Sequence, residues 1–111
     1  MRKNAWVLVL ALSCLCMAAA APPALADPPH ASFYYSCGAN CFCGFDAEAS
    51  SSDGYITNYH WSWGDGTPAT NGTDSDPSHT FAATGYYTVT LTITDNANQT
   101  DSTWLIVHCV R

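Results

Sequence analysis

The nine residues from Tyr86 to Thr94 leave this chain little choice of fold. Tyr87, Val89, Leu91 and Ile93 alternate with Tyr86, Thr88, Thr90, Thr92 and Thr94. A period of two sends the first set to one face of a strand and the second set to the other. β-Branched and aromatic side chains at almost every position suit a pleated, half-buried surface. A second strand precedes it, with Tyr59, Trp61 and Trp63 on one face. It stops at Gly64-Asp65-Gly66. Two glycines there permit positive φ, and the aspartate can bond N–H groups of the turn.

The rest of the chain follows the same pattern. Residues 27–30 form a proline-containing leader, expected to be mobile. Residues 31–37 are strand-like, with Phe33 and Tyr35 on one face, and Gly38-Ala39-Asn40 signals a turn. Residues 41–47 return as the next strand. A serine-rich loop ends in Asp53-Gly54, and residues 56–63 form the third strand. The polar stretch 67–78 reads as a loop or a short edge hairpin. Pro77 to Phe81 is extended, residues 96–99 turn the chain, and 103–110 form the last strand. Turn signals about every ten residues, without a helical period, predict one small all-β sandwich over residues 31–110.

Residues 1–26 stand apart. Arg2 and Lys3, an apolar run from Trp6 to Met17, and Ala24-Leu25-Ala26 before Asp27 have the layout of a cleaved secretory signal peptide. The apolar run is short for a membrane span and breaks at Pro22-Pro23. Export to an extracellular or periplasmic space is expected. The remaining 85 residues hold nine acidic residues against Arg111 alone, a formal charge of −8. An acidic, lysine-free surface repels phosphate backbones and anionic lipid, which excludes nucleic acid and membrane surfaces as partners.

Four cysteines remain after residue 26: Cys37, Cys41, Cys43 and Cys109. An even number in a small exported domain implies two disulfides, and three connectivities are open. Zinc held by three of these cysteines and His108 is the weaker reading, because the spacing lacks paired knuckles. No constellation for catalysis emerges. The serines have no base beside them, and His30, His60, His79 and His108 are scattered. His79 is expected to bond neighbouring backbone, and Asp65 to hold its turn. An 85-residue sandwich has little room for paired carboxylates across a cleft. The threonine row 88–94 reads as a solvent-facing strand face.

Three runs, taken together, carry a resemblance. They are Tyr-x-Trp-x-Trp-Gly-Asp-Gly-Thr at 59–67, Pro-Ser-His-Thr-Phe at 77–81 and Gly-x-Tyr-x-Val-Thr-Leu-Thr-Ile-Thr-Asp at 85–95. In order and spacing they resemble the PKD (polycystic kidney disease) domain family, whose fold is a small Ig-like β-sandwich. Ser62 and Trp63 stand where the family often has Asp and Phe. The resemblance implies a Cys37–Cys43 bridge across the first hairpin, which leaves Cys41 for Cys109. It also raises calcium, which some members bind through carboxylates at one end of the sandwich. Asp46, Asp53 and Asp95 are the candidate ligands here, although the family's Asp-Pro-Asp-Gly loop is reduced to Ser51-Ser52-Asp53-Gly54. Solvated turn acids and no cofactor are the default expectation.

The resemblance also orients the last strand. The family's terminal Val-x-Val corresponds to Val107-His108-Cys109. With Val107 and Cys109 inward, Trp104, Ile106, His108 and Val110 point outward as an apolar stripe. Either the leader or a loop covers it, or it binds a partner. Trp61 is expected in the core with Tyr59, Trp63 and Tyr87. Family members usually accompany secreted hydrolases. The expected function is therefore a secreted, non-enzymatic binding or adhesion module, monomeric, contacting extracellular protein or polysaccharide. It would be a stand-alone module or part of a longer hydrolase gene. The alternative is a small secreted protease inhibitor presenting loop 67–78, or an accessory subunit of an extracellular hydrolase.

Overall fold

The computed structural model describes residues 27–111; the expected signal peptide lies outside the described residues. Among the described residues, seven strands form two antiparallel sheets: β1 (Tyr34–Cys37), β2 (Phe42–Asp46), β3 (Ile56–Ser62), β4 (Thr70–Gly72), β5 (Ser78–Thr80), β6 (Gly85–Asp95) and β7 (Thr100–Cys109). The smaller sheet has the order β1-β2-β5 and the larger β4-β3-β6-β7. The two face each other as an all-β sandwich. Each layer turns one apolar face inward, as packed layers require.

Register decides which face is which. Tyr59, Trp61 and the following Trp63 share the inward parity of Val89, Leu91 and Ile93, with Trp61 opposite Leu91 and Tyr59 opposite Ile93. From the smaller sheet, Phe45 and Cys43 enter the same space, joined by Phe33 just before β1 and Phe81 just after β5. Aromatic rings fill the gap between the sheets in an unbroken series. Phe33 meets Trp61 edge-on at 5.2 Å, and Phe45 sits 5.1 Å from Trp63. Trp63 stacks on His79 at 4.4 Å, His79 meets Phe81 at 4.7 Å, and Phe81 stacks on Tyr87 at 4.2 Å. Offset and edge-to-face pairs of this kind add to the area they bury. The Trp61 indole N–H donates to the Asp74 carbonyl, so its polar atom is satisfied while the ring is buried.

Among the described residues, two disulfides close the sandwich. Cys37 bonds Cys43 within the β1–β2 hairpin, and Cys41 bonds Cys109, 68 residues on. The turn that places Cys41 is tight: Asn40 and Cys41 both adopt left-handed φ, at 60° and 57°. Gly64 is needed on two counts. Its φ is +74°, and a Cβ there would lie 2.2 Å from the Thr88 carbonyl oxygen.

Several details depart from the sequence reading. The leader is fastened rather than mobile: Pro29 is buried and His30 exchanges backbone hydrogen bonds with Ser51. The Ala31 N–H then donates to the Asp101 carboxylate at 2.8 Å. Within 67–78, residues 70–72 pair with β3 as a short edge strand. The last strand begins at Thr100, three residues early, because Thr94 pairs with Thr100 across the turn.

Candidate functional site

The outer face of the larger sheet is set by the same alternation that fills the core. On β7 it carries Thr100, Ser102, Trp104, Ile106 and His108; opposite them on β6 lie Thr94, Thr92, Thr90, Thr88 and Tyr86. Ser62, His60 and Asn58 continue the rows on β3. Trp104 is 60% exposed, Ile106 54% and Val110 59%. The covered reading of this stripe does not hold, because the leader engages Asp101 at the far end of β7 and leaves Trp104 open. Tyr86 joins the stripe and was missed by sequence reasoning. It shares parity with the threonines, and only the register shows that it faces His108, on which it stacks at 4.3 Å.

Away from the aromatic end, the face is hydroxyl and amide. Thr92 and Ser102 share a hydrogen bond of 2.7 Å, and the Asn58 amide donates to Asn71 at 2.6 Å. No Asp, Glu, Lys or Arg stands in these outer rows of β3, β6 and β7, although the chain is strongly acidic. From the other sheet, the Tyr35 hydroxyl donates to the Ile106 carbonyl at 3.4 Å and leans over the free edge of β7.

The chemistry-bearing residues elsewhere serve local structure. His79 does not bond neighbouring backbone; its Nε2 lies 2.8 Å from Asp65 Oδ2, with both side chains largely shielded. Thr67 donates its N–H to the same carboxylate. Burial pushes the Asp65 carboxyl up, but hydrogen bonds from His79 and Thr67 outweigh it and hold it below the usual carboxylate range. Burial, and then Glu48 and Asp76, raise the Tyr59 phenol.

The three calcium candidates are engaged separately. Asp46 accepts the Glu48 N–H, and Asp53 accepts the Asp27 N–H. Asp95 is not a solvated turn acid: it is 2% exposed and accepts Ala97 N–H, Gln99 N–H and the Ser52 hydroxyl. Among the described residues, no three His, Cys, Asp or Glu side chains converge as a metal set. None of the described helical segments is long and apolar enough to cross a membrane.

Fold and face together define a small disulfide-bonded β-sandwich of the Ig-like class. The PKD domain family model matches residues 27–109, and the chain belongs to that family. Among solved structures, it is similar to the PKD1 domain of Vibrio anguillarum Epp, at 25% identity and a TM-score of 0.70, covering 78% of this chain and 98% of that one. The PKD1 domain of the Vibrio cholerae metalloprotease PrtV gives 27% identity and a TM-score of 0.66, covering 77% of this chain and all of that domain. A structure titled for promiscuous carbohydrate-binding modules of the β-sandwich superfamily gives 26% and 0.71, with 78% of this chain matching 36% of that one. A search of curated proteins returns no match.

Proposed function

We propose that this chain is an exported, non-catalytic binding module that holds neutral polysaccharide on the outer face of its larger sheet. The observation that carries the reading is an exposed aromatic edge, Trp104 with the Tyr86–His108 stack, on a face of hydroxyls and amides without a carboxylate or a cation. Sugar rings present apolar faces that stack on indole and phenol, and their hydroxyls exchange hydrogen bonds with Thr, Ser and Asn. An uncharged face gives an anionic glycan nothing to pair with, and the acidic remainder of the chain repels it. The carbohydrate-binding relative supports the same class of ligand. Two disulfides and the secretory layout of residues 1–26 support an extracellular setting.

The test is retention of the oxidised protein on insoluble chitin, cellulose and collagen, beside Trp104→Ala. Retention on a polysaccharide that the substitution abolishes is expected. No retention on either polysaccharide, or retention indifferent to Trp104, would overturn the reading. A second reading, an accessory module of an extracellular hydrolase, draws on the metalloprotease relative. It expects the protein to alter proteolysis of insoluble collagen but not of a soluble peptide.

A further inference from the structure

The opposite side of the sandwich carries a second feature, independent of the Trp104 face. On the outer face of the smaller sheet, register aligns Tyr34 with Asp46 and Ser36 with Gly44. Gly44 presents no side chain where its neighbours do, and a Cβ built there would meet nothing within 4 Å. The face is therefore dished. The hollow measures about 380 Å³ and is lined by Tyr34, Ser36, Gly44, Asp46 and Asp76, among others. That is within the usual range for a site that holds one ligand group.

Its chemistry is one-sided. Asp46 uses Oδ1 on the Glu48 N–H, and Asp76 uses Oδ1 on the Ser75 hydroxyl; no hydrogen bond from a described residue reaches the second oxygen of either. The single ion pair among the described residues is His79–Asp65. Arg111, the one Lys or Arg among the described residues, is spent at the far end of β2, donating to the carbonyls of Asn40 and Phe81. Directly across the ladder from Asp46, the Tyr34 ring is 67% exposed. Carboxylates beside an open aromatic face form a receptor for a cation: the acids supply charge-assisted hydrogen bonds and the ring supplies a cation–π contact.

We propose that this hollow docks an arginine or lysine side chain presented by an extended segment of a partner protein. Charge complementarity selects the occupant. Two unneutralised acids within residues 27–111, a stretch of formal charge −8, attract a cationic peptide and repel anionic ones. Tyr34 and Gly44 then make the contact local rather than a general attraction to an acidic surface.

The probe is an end-capped Thr-Val-Arg-Val-Thr peptide, titrated into the oxidised protein and followed by amide chemical shifts. A second peptide carries neutral citrulline in place of arginine. The expected result is saturable shifts confined to Tyr34, Ser36, Gly44 and Asp46, weakened about tenfold or more by citrulline. Asp46→Asn with Asp76→Asn, and separately Gly44→Val, should each abolish them. The Glu48→Gln, Asp53→Asn pair removes equal charge elsewhere and should leave them in place, as should Trp104→Ala. Equal loss in the Glu48, Asp53 control would reduce the effect to bulk acidity and overturn the proposal. So would the absence of saturable shifts, or shifts caused by oligoglucosamine and not by the peptide. Should Gly44→Val fail to fold, the Asp46, Asp76 pair against its control decides the matter.

Discussion

The two faces of the larger sheet are made by the same strands, residue about, yet they follow different rules. Inward, Trp61, Val89, Leu91, Ile93 and Val107 are at most 1% exposed and interlock with rings from the other sheet. Outward, the neighbours of those residues in sequence are threonines, a serine, two histidines and Ile106, with the open Trp104 in the same outer row. The inner face is constrained at every position by volume, because packed interiors tolerate neither gaps nor excess. The outer face is constrained only by what meets it from outside. A strand can therefore change its ligand at alternate positions without touching its fold.

The sharpest way to break that comparison is to treat both tryptophans alike. Trp61→Ala should destabilise by about 3–5 kcal/mol, by loss of buried contacts and a cavity between the sheets. Denaturant midpoints check this, and a small shift would mean that Phe33 and Phe45 collapse into the space. Next in size are the staples. In the chain-entropy picture the Cys41–Cys109 loop contributes about 4 kcal/mol and the Cys37–Cys43 loop about 2. Cys109→Ser should therefore lower the melting temperature more than Cys43→Ser, and the reverse order would move the weight from the unfolded chain to native packing.

A subtler effect separates the buried pair from the open surface. The Asp65 carboxyl is held low in the folded state, so its contribution is fully present above the unfolded aspartate pKa. That contribution is lost as pH falls through the folded value. Asp65→Asn should flatten this acid limb of a stability-versus-pH curve, and an unchanged limb would mean the His79–Asp65 pair adds nothing to it. Smallest of all, Trp104→Ala should change stability by no more than about 0.5 kcal/mol. A loss comparable to that of Trp61→Ala would mean the outer face is part of the core, and the comparison would fail.

The inner face was also the legible one. The period of Tyr87 to Ile93 is a local signal, and Gly64-Asp65-Gly66 announces its own turn, so sandwich and core followed from neighbours in sequence. What escaped depends on distant partners. His79 finds Asp65 fourteen residues away through the packing of Trp63, not through spacing. Asp95 lies buried at the turn it holds and accepts the Ser52 hydroxyl from a different loop. Tyr86 reads as one more member of a threonine row until the β6–β7 register sets it on His108. The leader has no strand pattern, yet the Asp101 carboxylate and the Ser51 backbone hold it. The Trp104 stripe was reachable only because the family pattern oriented the last strand.

The Cys41–Cys109 bond also has a mechanical consequence. A pull applied at Arg111 enters the body of the domain through Cys109 and its covalent partner before it reaches the hydrogen bonds between β6 and β7. While that bond is intact, β7 cannot be peeled away from its C-terminal end, and the 68-residue span it closes cannot lengthen under load. In an oxidising environment, a load across the domain can therefore lengthen only the residues outside the closed span, those before Cys41 and after Cys109.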